Sequence, residues 1–440
     1  GNMEFRSLSA YDDSEFTGIA DIDGSAVVNN ETRAILPLET MTQEFQLLST
    51  GTTDLNWVLG LFYYNENSSY TFDQFRDQNV NDVNGDGVVD QNDSRRRLFA
   101  AFDVESTSLG AYGQMDYALT DQLELVAGLR YSADEKSAVD TGIFFGIEGQ
   151  PLPATPCCSA FPLREEDWQE VTGKLGLNYH LNDDAMLYAS YSRGYKAGGF
   201  SLLQENHYDP ETVDAFEAGL KSRWLDNRLQ VNIAGFYYEY KGKQDFQTIF
   251  VPAFGGNVSQ IFNASAATNS GIELEVQAHL TDGFSIDGTI GYLNAEFDDF
   301  MSIDQISPIG GGLRDLSGNK LPFSPEWSAQ VGLQYDWELG ELGPLSARVD
   351  YSWKDEQWSN AFNRTMTANG LQSEGDFIPS YYQVNARLQW TSPDSDWLAE
   401  LHVKNLTDEV ILSNRIGTLL SSSDTYLPPR TYGLKLTYNF

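Results

Sequence analysis

The sequence predicts an all-β fold, a transmembrane antiparallel up-and-down β-barrel with about 16 strands. Three observations predict it. Polar and apolar residues alternate with period two along many long stretches. The connections between these stretches are alternately tight turns and long polar loops. No apolar run approaches the roughly 20 residues of a membrane helix, so any crossing must be made by strands.

The alternation is clearest from Ile272 to Leu280, where Ile272, Leu274, Val276, Ala278 and Leu280 share one parity and Glu273, Glu275, Gln277 and His279 the other. Neighbouring side chains on a strand point to opposite faces, so one face is apolar and the other polar. The next stretch sets Phe284, Ile286, Ile290 and Tyr292 against Ser285, Asp287 and Thr289, until Leu293 breaks the polar face. A third sets Ala329, Val331, Leu333 and Tyr335 against Ser328, Gln330, Gln334 and Asp336. A soluble sandwich also alternates, so the decision rests on strand length and loop pattern.

In order, the strands are read near 2–11, 40–49, 55–74, 97–118, 122–139, 163–180, 185–197, 210–224, 228–248, 263–280, 284–300, 322–338, 344–356, 375–390, 397–412 and 427–440. Tight connections carry turn residues such as Asn182-Asp183-Asp184, Asp226-Asn227 and Pro393-Asp394. Long ones lie at 12–39, 75–96, 140–162, 198–209, 249–262, 301–321, 357–374 and 413–426. Each follows an odd-numbered strand, so all emerge on one side, as in outer-membrane barrels. Strands longer than the nine to eleven residues that cross hydrocarbon extend above the membrane as a rim.

Aromatic residues crowd the strand ends: Tyr237, Tyr238 and Tyr240, Tyr351 and Trp353, Trp390 and Trp397, Tyr438 and Phe440. Interfacial girdles have this composition. The net charge of −37, from 27 Lys and Arg against 64 Asp and Glu, excludes nucleic acid as a partner, because phosphate binding needs a basic face. Much of the acid is read as loop, for example Asp12, Asp13, Glu15, Asp21 and Asp23. Cys157 and Cys158 are adjacent in a Pro-rich loop. Neighbouring Cα atoms are closer than the usual disulfide range, which leaves a strained vicinal bond or two unpaired thiols.

The run Leu187-Tyr188-Ala189-Ser190-Tyr191-Ser192-Arg193-Gly194-Tyr195-Lys196-Ala197-Gly198-Gly199-Phe200 closely resembles a signature of TonB-dependent outer-membrane receptors of the iron-complex type. Pro210-Glu211-Thr212-Val213, Glu217-Ala218-Gly219-Leu220-Lys221 and Asn232-Ile233-Ala234-Gly235-Phe236-Tyr237-Tyr238 follow in the family's order. So do Asn263-Ala264-Ser265, Gly271-Ile272-Glu273-Leu274-Glu275, Asn405-Leu406-Thr407-Asp408-Glu409 and Pro429-Arg430-Thr431-Tyr432-Gly433. On the residues alone, the Gly194, Gly198 and Gly199 positions permit bends, and Asn405 to Asp408 would bend or bulge a long strand.

The resemblance implies a location in the outer membrane of a Gram-negative bacterium, in contact with its lipid. It also implies energy-dependent uptake of a scarce nutrient such as a ferric siderophore, a small-molecule substrate. Residues 1–440 would form one β-barrel domain, the C-terminal part of a receptor whose barrel has about 22 strands. The resemblance further implies a lumenal plug that would contact the TonB–ExbB–ExbD system, and first strands, both expected outside these residues. The terminal aromatic Phe440 resembles the signal read by the barrel-assembly machinery.

One loop carries a metal-binding pattern. Asp82, Asn84, Asp86, Asp90 and Asp93 place oxygen ligands at positions 1, 3, 5, 9 and 12 of a calcium loop, with Gly87 next to the Val88 carbonyl at position 7. Asp93 stands where an EF-hand has Glu, closer to dockerin-type loops. The bland reading is an acidic Asn/Gly turn. No catalytic constellation stands out, and the chain is read as a non-enzyme: His180, His207, His279 and His402 are dispersed.

Candidate ligand contacts are the loop aromatics Phe200, Tyr208, Phe250, Phe254 and Phe362. Lumen-facing charges such as Glu124, Arg130, Lys174, Glu273, Glu275, Arg348, Arg387 and Lys404 could pair across strands or hold a plug. Two other classes stay open here, a passive porin of about 16 strands and a soluble calcium-binding β-adhesin.

Overall fold

A computed structural model describes residues 2–21, 30–51, 54–76, 96–147, 151–154, 161–201, 205–251, 256–303, 313–364, 375–417 and 422–440. The calcium-type loop 82–93, Cys157, Cys158 and Phe254 lie outside the described residues.

The strands are β1 (Met3–Asp21), β2 (Asn30–Ser49), β3 (Leu55–Arg76), β4 (Arg96–Ala118), β5 (Leu123–Ile147), β6 (Arg164–Asn182) and β7 (Ala185–Lys196). They continue with β8 (Glu211–Trp224), β9 (Leu229–Val251), β10 (Gly256–His279), β11 (Phe284–Ile303), β12 (Leu313–Asp315), β13 (Trp327–Glu338) and β14 (Pro344–Lys354). The last are β15 (Gln357–Trp358), β16 (Phe377–Ile378), β17 (Tyr381–Thr391), β18 (Trp397–Lys404), β19 (Leu412–Gly417), β20 (Ser422–Tyr426) and β21 (Thr431–Tyr438).

One 17-stranded sheet contains all but two small hairpins, β15–β16 and β19–β20. Within it, each long strand pairs antiparallel with the next, from β1–β2 through β10–β11. The ladder then runs β11–β13–β14–β17–β18–β21. Setting aside the three-residue β12 leaves the sixteen long strands expected from the sequence. Among the described residues β1 pairs with β2 alone and β21 with β18 alone, so the sheet has two free edges.

Register sorts the side chains into two faces. Ile290, Leu274, Ile233, Leu220, Leu187 and Tyr179 align across six strands as one apolar row. One residue along, Gln383, Ser352, Gln330, Thr289, Glu275, Asn232 and Lys221 align as a polar row on the other face. A one-residue slip would exchange these faces, which is why the register is strongly specified. The apolar face is exposed, with Ile290 at 46%, Ile233 at 43% and Leu187 at 44%, the arrangement of a wall whose apolar side meets lipid.

Aromatics bound that face at both ends. Tyr191, Phe216 and Tyr237 align above, with the Tyr191 and Phe216 rings 5.0 Å apart. Below, Phe284 lies 6.3 Å from Tyr335, Tyr335 4.6 Å from Trp337, and Trp397 4.7 Å from Tyr438. Tyr238 and Tyr240 depart from the girdle expectation. Their parity is opposite to Tyr237, and Tyr240 packs on a buried cluster of the polar face.

Rim strands are longer than expected. β1 runs on through Asp12, Asp13 and Glu15 to Asp21, and β2 begins at Asn30, so these acids are in strands rather than in a loop. Both faces of the rim are wet, so charge there does not mark a strand end. Conversely β18 stops at Lys404 and β17 starts only at Tyr381.

Asn405 ends β18 for a visible reason. It is fully buried, has φ of 52°, and its side-chain oxygen accepts the Glu409 amide at 2.9 Å while its Nδ2 donates to the Glu409 carbonyl at 2.8 Å. Asn tolerates the left-handed region that most residues avoid. Asp408 then accepts the Arg430 amide at 3.0 Å and its guanidinium at 3.4 Å, tying two motifs of the sequence together. Asn405→Ala is expected to cost about 2–3 kcal/mol by stranding the Glu409 backbone groups. Asp408→Ala, whose pair is well exposed, is expected to cost less than about 1 kcal/mol. Urea titration of the folded barrel would rank the two.

Candidate functional site

The polar face carries two clusters of loop residues folded onto it near the rim, and a lower wall of ordered polar side chains. The first cluster starts from Arg164 at the head of β6. Its guanidinium pairs with Asp140 of β5 at 3.0 Å, with side-chain exposures of 10% and 0%. It also lies over the rings of Phe102, Phe161 and Phe200 at 5.8, 5.3 and 5.1 Å. Burial pulls the Arg164 guanidinium down from its ordinary value, and the Asp140 charge offsets part of this.

Phe200 is 8% exposed and packs with Phe102 and Ala138, so the segment after β7 is pinned to the wall. Gly199 and Tyr208 exchange backbone hydrogen bonds of 3.0 and 2.8 Å. A Cβ on Gly199 would lie 2.5 Å from the Tyr208 hydroxyl, and one on Gly198 2.6 Å from the Trp168 ring. The Gly-Gly pair is therefore required by close approach. Burial pushes the Tyr208 phenol up. His207 sits between Glu166 and Asp209, 3.3 Å from each, with its ring edge-on to Trp168. Asn263 locks the base, its Nδ2 donating to the carbonyls of Asp209 at 2.6 Å and Gly242 at 2.9 Å.

The second cluster buries Ala267, Ala295, Phe297, Phe300, Leu316 and Leu321, with Phe362 packed against it. Asn319 donates to the Ala361 carbonyl at 2.9 Å, and the Lys320 amide to Asn363 at 2.7 Å. Arg364 pairs with Asp376 at 2.9 Å and Arg415 with Asp424 at 2.7 Å.

The aromatics expected from the sequence are thus divided. Phe200 and Tyr208 come together, Phe362 belongs to the second cluster, and Phe250 lies in β9 with its backbone paired to Asn257. Trp168, Arg164 and Phe102, which complete the first cluster, were not singled out. Nothing local in the sequence brings residue 102 to residue 200. His207, read as isolated, is part of the cluster.

Below the clusters, Tyr188, Glu217, Lys221, Asn232, Glu273 and Glu275 line an open cavity of about 880 Å³. Tyr188 donates to Glu217 at 2.6 Å and Asn232 to Glu275 at 3.1 Å. Asn178 donates to Glu124 at 3.3 Å. Arg348 makes a two-pronged pair with Asp287 at 2.7 and 2.9 Å and bonds Asp350 at 2.8 Å. It crosses the strand between at Gly332, where a Cβ would lie 2.1 Å from its Nη2. Arg348 pairs across strands with Asp287 as expected, whereas Glu124 and Glu275 accept hydrogen bonds from the neutral Asn178 and Asn232. Among the described residues Lys174, Arg387 and Lys404 have no such partner.

The family described as TonB dependent receptor-like, beta-barrel matches residues 3–406. The pesticin receptor of Yersinia pestis is 25% identical over 284 residues, 59% of this chain and 37% of its own length. The ferripyoverdine receptor of Pseudomonas aeruginosa is 22% identical over 419 residues, 92% of this chain and 43% of its own. The chain thus spans roughly two fifths of these relatives. The ferric yersiniabactin uptake receptor FyuA from Yersinia pestis superposes with a TM-score of 0.77 at 17% identity, covering 100% of this chain and 59% of that one. The siderophore receptor PiuA from Acinetobacter baumannii gives 0.74 at 18%, with 99% and 62% covered. With an apolar outer face between aromatic girdles, a polar inner wall and a match across most of its length, the chain belongs to the TonB-dependent receptors, as part of their β-barrel in the outer membrane of a Gram-negative bacterium.

Proposed function

We propose that the chain is the barrel wall of a receptor that imports a scarce nutrient such as a ferric siderophore, driven through the TonB–ExbB–ExbD system. The observation that carries this reading is the pair of loop clusters folded onto the polar face above a row of inward polar side chains. Such a rim can hold a small molecule in place, and the wall below leaves room for a domain that closes the pore. The sheet's two free edges favour a wall completed by further strands, because lipid does not tolerate unpaired backbone groups. A passive porin would pair β1 with β21, and these are unpaired among the described residues. A soluble adhesin would leave the row of Leu274 in water.

The test is uptake of ⁵⁵Fe-labelled siderophores by cells carrying the full-length receptor, with and without a functional TonB. Uptake lost with TonB is expected. Uptake unaffected by its loss would turn the reading into the porin. Phe200, Tyr208, Phe250, Phe254 and Phe362 are proposed to shape the ligand site, Phe200 and Phe362 by pinning loops to the wall rather than by exposed contact.

We also propose calcium binding by Asp82, Asn84, Asp86, the Val88 carbonyl, Asp90 and Asp93, from their spacing alone. Four carboxylates in one turn repel each other until a cation binds. A dissociation constant of about 10⁻⁴ to 10⁻³ M is expected, as at other extracellular sites. Calorimetry on the refolded barrel checks it: equal uptake by the wild type and an Asp82→Ala, Asp86→Ala variant would assign the signal to diffuse surface acid.

A further inference from the structure

Loops on the rim of a sheet are surface connections, and each ordinarily opens on its own. Those after β11, β14 and β18 are joined to one another. The first two meet across the second cluster, where Ala361 and Phe362 pack against the group of Phe297, Phe300, Leu316 and Leu321. Asn363 fastens the contact twice, its side-chain oxygen accepting the Lys320 amide at 2.7 Å and its Nδ2 donating to the Lys320 carbonyl at 3.0 Å. Nearby, the Phe323 amide donates to the Trp358 carbonyl at 2.8 Å.

The third loop holds the second. Its strand β19 packs against β16, and Ile378 of β16 is buried, as are Ile411 and Leu412 at the head of β19. Arg415 makes the joint. Its guanidinium is held by Asp424 of its own hairpin, Nε donating at 2.8 Å and Nη2 at 2.7 Å, while Nη1 donates to the Phe377 carbonyl of the second loop at 3.3 Å. The Arg415 carbonyl accepts the Ser359 hydroxyl at 2.5 Å. Within the second loop, the Ser359 amide donates to the Asp376 carbonyl at 2.8 Å, and the Asp376 carboxylate accepts two bonds of 2.9 Å from Arg364.

Burial decides how stiff this assembly is. Asp376 is 1% exposed and Arg415 6%, so breaking either pair leaves a charge out of water, which costs far more than breaking a pair on the surface. The joints also use main-chain groups of Lys320, Trp358, Phe377 and Arg415. One loop therefore cannot swing away by turning a side chain. It must break bonds to its neighbour's backbone, which leaves that neighbour's polar groups unsatisfied in turn.

We propose that the loops after β11, β14 and β18 open only together, as one rigid body with Arg415 as its joint, so that this part of the rim is a fixed wall of the entrance to the lumen. A contact made with any one of the three loops is then felt by the other two, because all share one cooperative unit. The rigid body does not depend on what the barrel carries.

Hydrogen exchange read by mass spectrometry on the full-length receptor in detergent tests this, comparing the wild type with R415M and S359A. Heat-modifiable migration on gels verifies that each barrel folds. Leu316, Ser359 and Leu427 report on the three loops, since their amides donate to the carbonyls of Phe300, Asp376 and Ile411. In R415M, peptides covering all three are expected to exchange about tenfold faster, by a common factor, while residues 197–201 and strands β6 to β9 keep wild-type rates. S359A removes one joint and leaves the Asp424 pair, so a smaller common factor is expected at the same three places. Faster exchange in only one or two of the loops would overturn the proposal, because the loops would then open singly. So would wild-type rates in all three. A rise that includes residues 197–201 would also overturn it, since the whole fold rather than one body would have loosened. If R415M does not fold, S359A decides on the same readings.

Discussion

Leu274→Arg is expected to destabilise the folded barrel by about 2–4 kcal/mol, the cost of a cation on the lipid face near the membrane midplane. Leu274 is at that depth. Tyr237 of the upper girdle aligns with Ser270, and Trp224, the exposed last residue of β8 beside a tight turn, aligns through Leu229 with Ala278, which puts Leu274 midway. Gln277→Arg, three residues away and on the polar face, is expected to be tolerated, because its side chain meets water and Asp287 is its register partner. The contrast between the two is the informative quantity. Folding titrations into lipid vesicles would measure both, and similar losses would contradict the assignment of faces.

Arg164→Met is expected to cost about 3–5 kcal/mol locally, because it leaves the carboxylate of Asp140 buried without its cation. The effect is confined to the rim. Phe200 packs against Phe102 and the Arg164 guanidinium, so the segment 197–201 is expected to exchange amide hydrogens faster while β6 to β9 near the membrane stay protected. Arg430→Ala is the control. Its pair with Asp408 is 37% and 48% exposed, and solvent screening limits the loss to less than about 1 kcal/mol. Equal exchange in Arg164→Met and the wild type would show that the cluster is held by the Gly199–Tyr208 backbone pairing instead.

The membrane-crossing part of the fold was legible because two solvents impose it. Lipid on one side and water on the other force alternation on every strand, so Leu274 and Glu275 could be assigned to faces from parity alone. Above the membrane that contrast disappears. Asp12, Asp13 and Glu15 sit in β1 with water on both sides, and their charge made a strand look like a loop. Tyr238 and Tyr240 were misassigned to a girdle for a related reason: counting aromatics near a strand end ignores which face each occupies.

The site was legible only in pieces. Gly198, Gly199, Asn263 and Asn405 were noticeable as motif residues, yet their purpose is contact with Trp168, Tyr208, Asp209 and Glu409. Asn405 and Glu409 are close in sequence and the bend there was expected. Phe102 and Phe200 are not, and only the ladder from β4 to β7 brings them together. Parity alone puts Arg387 among the lumenal charges, but only the ladder shows that Arg348 and His402 are its neighbours.

The central claim is that one face of this sheet meets lipid and the other an aqueous lumen. Nitroxide labels at single cysteines replacing Leu274 and Gln277, in the receptor reconstituted into bilayers, test it most directly. The label at 274 is expected to collide with oxygen and be shielded from a water-soluble nickel chelate, and the label at 277 to show the reverse. Equal nickel accessibility at both positions, or a label at 274 immobilised and shielded from both reagents, would contradict the account.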